Sequence, residues 1–232
     1  ENSVQVYNDA VQSFRIIDRP GKLGIANDTT IVDPKNFHRR DFQMSPTILP
    51  NGKQAITVYG GVFTPDGLAY QEPVTIQGGG KAPTVSTYKQ WFSLYESPQI
   101  PIYNARARTM NTVFLGGISF DNYDPSTGKI TTDPFLPFID TITTLVRDSQ
   151  GNAQEYVMPN QLPGLLGAEA QFLTTSNAPR YSNGVISLNS LRRPTVVGYL
   201  YGGIRAQQAN DGPSTASSEV LKITIVPTRR GR

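Results

Sequence analysis

The sequence predicts an all-β protein, and three features support this prediction. The 21 Gly and 18 Pro residues are scattered over the whole length of 232 residues. Short runs rich in Val, Ile, Thr, Tyr and Phe lie between them, as is typical of short β-strands. No stretch shows the apolar period of about 3.6 residues that marks an amphipathic helix. We therefore expect many short strands, paired mostly as antiparallel hairpins.

The expected strands follow one another along the chain and are separated by turn signals. Each turn signal has Gly where a positive φ costs little and Pro or Asp where the turn begins. The turns are residues 49–53, 64–68, 124–129 and 148–152. The predicted strands are residues 54–63, 74–76, 91–95, 112–120, 141–147, 154–157, 184–188, 195–205 and 219–226.

Two segments say more about how these strands are connected. Residues 141–158 contain two alternating segments around a Gly-containing loop, and we expect them to form an antiparallel hairpin. Residues 77–87 are the stretch that most resembles a linker. Because strands of the same kind continue on both sides, we interpret it as a long loop within one domain, with a domain boundary as the alternative.

The composition excludes several classes of site. The absence of cysteine excludes disulfides, cysteine nucleophiles and thiolate metal sites. His38 is the single histidine, which excludes paired imidazoles and His-rich zinc sites. The turns at Asp124 and Asp148 lack the ligand pattern of a calcium loop, so we interpret these carboxylates as turn caps. We expect no metal and no cofactor.

The charge and hydropathy of the chain bear on its partners. The formal net charge is only +3, and part of it comes from the Arg-rich residues 229–232. Because no block interleaves basic and aromatic residues, we expect no nucleic-acid binding. No apolar run approaches the roughly 20 residues of a transmembrane helix, so we expect no transmembrane segment.

A pair of adjacent glycines recurs three times in runs that otherwise look like strands. The pairs are Gly60 and Gly61, Gly116 and Gly117, and Gly202 and Gly203. Bulky apolar or aromatic residues flank each pair, and a polar loop with further strand-like runs follows it. Because glycine normally weakens a strand, the repetition indicates a structural requirement.

This organisation resembles the kelch family of β-propellers, in which a hydrophobic run ending in Gly-Gly forms an inner strand of a four-stranded blade. The resemblance covers most of residues 37–226. It implies that the glycines remove side-chain bulk where inner strands converge near the propeller axis. One departure is that kelch repeats usually carry Tyr and Trp after the glycines, whereas Trp91 is the single tryptophan here. The alternative fold is a β-sandwich in which the glycine pairs are bulges.

Three visible repeats are fewer than the four blades of the smallest closed propellers. We therefore expect either a single domain over residues 1–232 with irregular blades or the C-terminal portion of a larger propeller. Residues 22–34 look like the outer half of a preceding blade. In a complete chain, residues 3–18 should close the ring by pairing with residues 219–226. In a fragment, the same edges should face a partner.

The chain is also similar to secreted kelch-type proteins of bacteria with an outer membrane, including some linked to type IX secretion. The similarity lies in the joint run of the segments HRRDF, ITVYGGVF, VFLGGISF, PGLLGAEAQF and YLYGGIR. It implies a location at the cell surface or in the secreted fraction.

Charged residues lie among apolar ones before each glycine-ending run. In the propeller interpretation they gather at one end of the axis, where guanidinium groups suit a carboxylate or sugar hydroxyls. Buried ion pairs between blades are the other interpretation of the same residues. The candidate ligand-binding residues are Arg39, Arg40, Asp41, Arg106, Arg108 and Glu169.

Two details refine this set of candidates. Arg106 and Arg108 are two residues apart and would share one face of a strand. His38 lies beside two arginines but has no Ser or Cys neighbour that would make a nucleophile motif, so we expect a loop residue there.

Two functions of different classes follow from these observations. The first is a binding or scaffolding propeller without chemistry of its own, which recognises a protein partner through its loops, as a subunit of an outer-membrane or secretion complex would. The second is a carbohydrate-active kelch-type enzyme, a sugar epimerase or lyase, with Arg106, Arg108 and Glu169 in its site. We favour the first, because the sequence contains no catalytic motif.

Overall fold

The structure, a computed structural model, describes residues 6–227. The predicted all-β class is confirmed, since these residues form strands joined by turns, with one short α-helix and one 3-10 helix at Leu188–Ser190. The helix α1 is Pro34–Phe37. The strands are β1 (Ala10–Arg19), β2 (Lys22–Val32), β3 (Gln43–Ile48), β4 (Gln54–Tyr59), β5 (Val74–Ile76), β6 (Thr84–Val85), β7 (Gln99–Asn104), β8 (Thr109–Ile118), β9 (Asp121–Asp124), β10 (Lys129–Thr132), β11 (Phe138–Arg147), β12 (Ala153–Val157), β13 (Gln171–Thr174), β14 (Ile186–Ser187), β15 (Thr195–Tyr201), β16 (Ile204–Ala206), β17 (Ser214–Ala216) and β18 (Val220–Ile225).

Three antiparallel sheets make up the body of the protein. Sheet A has the strand order β3-β4-β5-β6, and sheet B has the order β7-β8-β11-β12, with β14 added in parallel beside β7. Sheet C has the order β13-β15-β18. Within each sheet the antiparallel strands follow one another in chain order. The remaining pairs, β1-β2, β9-β10 and β16-β17, are separate hairpins.

The sheets pack face to face in the order A, B, C. Tyr59 of sheet A is fully buried against Phe114 and Leu145 of sheet B. The largest buried cluster joins sheet B to sheet C and includes Leu115 and Val197. No buried cluster of the described residues joins sheet A to sheet C, so sheet B lies in the middle of the fold.

The first and third glycine pairs end the regular strand conformation, whereas Gly116 and Gly117, with φ values of 65° and 93°, lie within β8, which continues to Ile118. The predicted strand 54–63 ends at Tyr59, because Gly60 and Gly61 have φ values of 55° and 94°. The predicted strand 195–205 is divided by Gly202 and Gly203, which have φ values of 69° and 77°. Such positive values lie outside the extended region, and glycine adopts them without strain.

Most other predicted strands are confirmed with shifts at their ends, and the hairpin at residues 141–158 is formed by β11 and β12. The predicted strand at residues 91–95 is wrong. Ser93 there has a φ of 54°, and the buried amide of Gln90 donates hydrogen bonds to the carbonyls of Phe92 and Ser93. These bonds hold the segment in a compact loop that cannot pair as a strand.

The N-terminal hairpin, made of β1 and β2, does not join the last sheet in the way the sequence predicts. β1 pairs with β2, and β18 pairs with β15. Among residues 6–227 no pairing connects the segment 3–18 to the segment 219–226, and no closed ring of sheets is present. Residues 3–5 of that prediction, and the basic residues 229–232, lie outside the described range.

The described part of the chain contains no helix with the length and apolarity that crossing a bilayer requires. Its two helices span only four and three residues.

Candidate binding cleft

The first two glycine pairs each join their own sheet to the next one. The N–H of Gly61, after β4, donates to the carbonyl of Leu94 at 2.7 Å, and the N–H of Gly117 donates to the carbonyl of Leu166 at 3.1 Å. An added Cβ at Gly60 would lie 2.1 Å from the Leu94 carbonyl oxygen. The glycines therefore let the backbones of neighbouring sheets come into direct contact.

The residue after each glycine pair bonds back to the segment before the first strand of its own sheet. Val62 and Arg40 exchange two backbone hydrogen bonds, and Ile118 and Tyr95 do the same. In the third repeat the N–H of Ile204 donates to the carbonyl of Ala168 at 2.8 Å. Arg40, Tyr95 and Ala168 thus occupy equivalent positions.

An acidic residue follows each of these three positions. Asp41, Glu96 and Glu169 have φ values of 56°, 49° and 57°, which are uncommon for residues other than glycine. The N–H of Glu96 donates to the Asp41 carbonyl at 3.3 Å, and the N–H of Glu169 donates to the Glu96 carbonyl at 3.0 Å. Two backbone bonds therefore bring the three carboxyl groups to one end of the fold.

The electrostatics of this acidic cluster, Asp41, Glu96 and Glu169, reflect crowding of like charge. Partial burial, together with the carboxylates of Glu169 and Asp41, raises the pKa of Glu96 to about 7. Burial and the same negative surroundings raise the pKa of Tyr95 to about 12. Within residues 6–227, the cation in contact with the cluster is Arg40, whose Nε donates to Asp41 Oδ2 at 2.7 Å and whose guanidinium lies 4.6 Å from the Phe63 ring centre.

Glu96 and Glu169 line a cleft of about 410 Å³. The aromatic side chains of Phe42 and Phe172 also line it. Gln43, which borders the same cleft, is buried, and neither atom of its amide has a hydrogen-bond partner among residues 6–227.

This arrangement suits an organic cation better than an anion. Three carboxyl groups face one guanidinium, so the local charge is negative. Ammonium and guanidinium groups also interact favourably with phenyl faces. Within residues 6–227, no group of three or more His, Asp or Glu side chains is placed to hold a metal ion.

Arg39, one of the residues singled out from the sequence, is buried and serves the fold. Its guanidinium donates to the carbonyls of Asn36, Gly60 and Glu72, and it lies 4.3 Å from the Tyr70 ring centre. Burial lowers its pKa to about 10. With its donors used in this way, the side chain is not presented to a ligand.

Arg106 and Arg108 lie far from the acidic cluster. Both are exposed in the turn between β7 and β8, where Arg108 has a φ of 53°. Glu96 precedes β7 and the two arginines follow it, so the six residues of this strand separate them by about 20 Å. The structure therefore brings Arg40, Asp41 and Glu169 together and leaves Arg106 and Arg108 at the other end of sheet B.

His38 follows helix α1 outside any strand. Its Nδ1 lies 2.7 Å from Asp9 Oδ1, and its ring stacks on Tyr7 with centroids 4.1 Å apart. These contacts connect it to the segment before the N-terminal hairpin.

Glu96 and Gln43 were not among the residues expected from the sequence. Glu96 stands 20 residues before Gly116, and Asp41 stands 19 residues before Gly60, so a shared spacing to the glycine pairs could have revealed Glu96. Glu169 stands 33 residues before Gly202, which hides the pattern in the third repeat. No sequence signal marks Gln43, because its exceptional property is the lack of a partner in three dimensions.

Comparison with known proteins does not extend this description, since no family model, no curated protein and no solved structure matches the chain.

Proposed function

We propose that this protein is a non-enzymatic binding protein that recognises a positively charged group of a protein partner in its acidic cleft. The observation that carries the proposal is the convergence of Asp41, Glu96 and Glu169, which occupy equivalent positions in the three sheets and are linked by two backbone bonds. Because backbone bonds between packed sheets hold these residues, the carboxyl groups are preorganised before a ligand arrives.

The chemistry of the cleft supports a lysine or arginine side chain as the recognised group. A cation placed there would interact with the carboxylates of Glu96 and Glu169 and with the phenyl rings of Phe42 and Phe172. Because the pKa of Glu96 is about 7, this carboxyl group is largely protonated at pH 6. A bound cation favours its ionised form, so affinity should increase as the pH rises from 6 to 8.

The wider setting of this function remains part of the proposal. Three meander sheets joined at glycine pairs are compatible with an incomplete kelch-like propeller, and the acidic residues would then mark one end of its axis. Face-to-face sheets are compatible with a β-sandwich as well. A location at the cell surface or in the secreted fraction, and a role in an outer-membrane or type IX secretion complex, rest on the sequence resemblance alone.

The enzymatic alternative receives no support from the geometry. A sugar epimerase or lyase using Arg106, Arg108 and Glu169 needs these side chains within hydrogen-bond reach of one ligand. The length of β7 separates the two arginines from Glu169.

Binding of a tetralysine peptide, measured by isothermal titration calorimetry at low ionic strength, tests the proposal. Glu96→Gln and Glu169→Gln should each weaken binding about 2- to 5-fold, the range typical of one partly exposed charge pair. The control is Asp66→Asn, which removes an exposed turn carboxylate and should leave the affinity unchanged. The proposal would be contradicted if both glutamine variants bound tetralysine as tightly as the wild type does. It would also be contradicted if the wild type bound tetraglutamate as tightly as tetralysine.

A further inference from the structure

Gly202 differs from its counterparts in what surrounds it. An added Cβ at Gly60 would lie 2.1 Å from the carbonyl oxygen of Leu94, and one at Gly116 would lie 2.2 Å from that of Leu166. Both carbonyls belong to the segment that leads into the next sheet. Gly202 has a similar φ of 69°, yet no atom of residues 6–227 lies within 4 Å of its added Cβ. The third repeat therefore keeps the glycine but lacks the neighbour that explains it.

Two backbone groups at sheet C have no partner among the described residues, although the equivalent groups of sheets A and B are hydrogen-bonded. Gly61 and Gly117 donate their N–H groups to the following repeat, whereas the N–H of Gly203 has no partner among the described residues. The carbonyls of Asp41 and Glu96 accept from the following repeat, whereas the Glu169 carbonyl accepts no bond in residues 6–227.

The start of sheet A carries the complementary groups. Arg39 precedes Arg40 as Leu94 precedes Tyr95, yet its carbonyl accepts no hydrogen bond from the described part of the chain. The N–H of Asp41 likewise has no partner there, although Glu96 and Glu169 donate from the equivalent atom. The N–H of Asp41 at sheet A thus matches the Glu169 carbonyl at sheet C. The Arg39 carbonyl at sheet A matches the N–H of Gly203 at sheet C.

The outer face of sheet C carries four exposed apolar or aromatic side chains, next to the polar side chains of Gln171 and Lys222. Leu173 lies opposite Tyr199 in the strand register, and Tyr201 lies opposite Val220. All four are exposed, with 55% of Leu173 and 64% of Val220 accessible. A contiguous exposed apolar patch marks an interaction surface more often than scattered single residues do.

Sheet A has an open face as well. Met44 and Ile56 are exposed there, and a cleft of about 470 Å³ separates this face from the N-terminal hairpin. The hairpin thus faces this side of sheet A across the cleft and leaves Met44 and Ile56 exposed.

The accessible surface area of the chain is larger than expected for a monomer of its mass, which supports a contact with another chain. The chain exposes 13686 Å², whereas a folded monomer of 25.4 kDa is expected to expose about 10,300 Å². Assigning the ten residues outside the described range their full extended area of about 1,600 Å² still leaves an excess of about 1,700 Å². A standard interface buries about 800 Å² on each partner, so the excess is enough for two contacts per chain.

From these observations we infer that a second copy of this chain packs its sheet A against sheet C, as sheet B packs against sheet A. In a two-fold dimer each copy makes this contact twice, once with each open face. Six sheets then form a ring, within the range of four to eight blades found in closed propellers. The edge strand β18 of one copy would face the N-terminal hairpin of the other, which would extend sheet C beyond its three strands.

Sedimentation equilibrium of the full chain, with Gly202→Asn as the test variant, decides this inference. Asparagine accepts a left-handed backbone, and space around Gly202 is open in one copy, so the isolated chain should fold normally. In the dimer the asparagine side chain would clash with the Arg39 carbonyl of the second copy. The matched control is Gly128→Asn, because Gly128 also has a φ of 69° and open space around it, in the turn between β9 and β10.

We expect a mass of about twice 25.4 kDa for the wild type and the control, and a dissociation constant at least about tenfold higher for Gly202→Asn. Circular dichroism should show the same fold for all three proteins. A wild-type chain that stays monomeric up to about 500 µM, hundreds of times the micromolar range of weak complexes, overturns the inference. Dimerisation of Gly202→Asn equal to that of the wild type overturns it too.

Discussion

At the scale of single residues, Arg39 is a buried charged residue that serves the fold. Its guanidinium satisfies three backbone carbonyls, one of them on Gly60 of the first glycine pair. A planar group with five donors can make these bonds together, whereas an ammonium group cannot match their geometry. Arg39 therefore connects the segment around α1 to the junction between sheets A and B.

Replacing Arg39 with methionine should lower the free energy of unfolding by about 2–4 kcal/mol. Methionine keeps much of the apolar volume but leaves buried carbonyls without donors, at a cost of about 1–3 kcal/mol for each group that stays unpaired. Urea unfolding followed by circular dichroism measures the change. Arg106→Met is the control, since Arg106 is exposed in a turn and should change stability by less than about 0.5 kcal/mol. Equal effects of the two substitutions would contradict the role assigned to Arg39.

Glu155 is a second residue whose environment should have a measurable effect, in this case on how stability depends on pH. It accepts hydrogen bonds from the N–H of Trp91 at 2.7 Å and from Thr143 Oγ1 at 2.8 Å. Burial nevertheless raises its pKa to about 7. The folded state therefore holds a proton between about pH 4.5 and pH 7 that the unfolded chain releases, so stability should fall as the pH rises through this window.

The wild type should lose roughly 1–3 kcal/mol of stability between pH 5 and pH 8 from this group. Glu155→Gln should flatten that dependence, since the amide does not titrate. Urea midpoints at four pH values across the window provide the measurement. Glu96, whose pKa is also about 7, adds a slope of the same sign, so Glu96→Gln is the companion variant. A slope unchanged in both variants would rule out these carboxyl groups as its source.

At the scale of secondary-structure elements, the first two glycine pairs are the points where sheets join. The backbone of each following sheet occupies the space that a side chain would need at Gly60 and Gly116. Positive φ values and close backbone contact thus coincide at these positions, and either one alone favours glycine.

Gly116→Ala should destabilise the protein far more than Gly128→Ala. Both glycines have nearly the same φ, 65° and 69°, so the two substitutions carry a similar backbone strain of about 1 kcal/mol. At Gly116 the added methyl would also lie 2.2 Å from the Leu166 carbonyl oxygen, which forces sheets B and C apart. We expect an additional loss above about 2 kcal/mol in thermal or urea unfolding. Similar losses for the two variants would show that the junction tolerates a side chain.

The sequence predicted most strands because apolar alternation and turn residues are local signals. It did not predict β3, β6, β7, β9, β10, β13 and β17. β3 and β7 contain Pro46 and Pro101, and proline normally argues against a strand. β3 tolerates its proline as the edge strand of sheet A. The glycine pairs were recognised as a repeat, but which residues they would bring together depends on contacts across 50 residues or more. For this reason Arg106 and Arg108 were grouped with Glu169, and Glu96 was missed.

At the scale of the whole molecule, the order of the sheets sets how stability is distributed. Sheet B is covered by sheet A on one face and by sheet C on the other, and the side chains of Phe114 and Ile139 are fully buried. The N-terminal hairpin has no such cover, since Ile16, Leu23 and Ile25 are mostly exposed.

Hydrogen exchange should therefore rank the described strands by their position in the stack. Amides of β8 and β11, with partners on both sides and buried side chains, should exchange only when the whole domain unfolds. Amides of β1 and β2 in the monomer should exchange much sooner, because a two-stranded hairpin is marginally stable without further packing.

Mass spectrometry after deuterium labelling, at concentrations that populate monomer and dimer, resolves the two cases. Protection of β1, β2 and β18 should rise together with dimer formation, whereas protection of β8 should not change. Equal protection of the hairpin and sheet B in the monomer would mean that the hairpin is held by contacts within one chain, and the contact with a second copy would no longer be needed to explain its exposed apolar side chains.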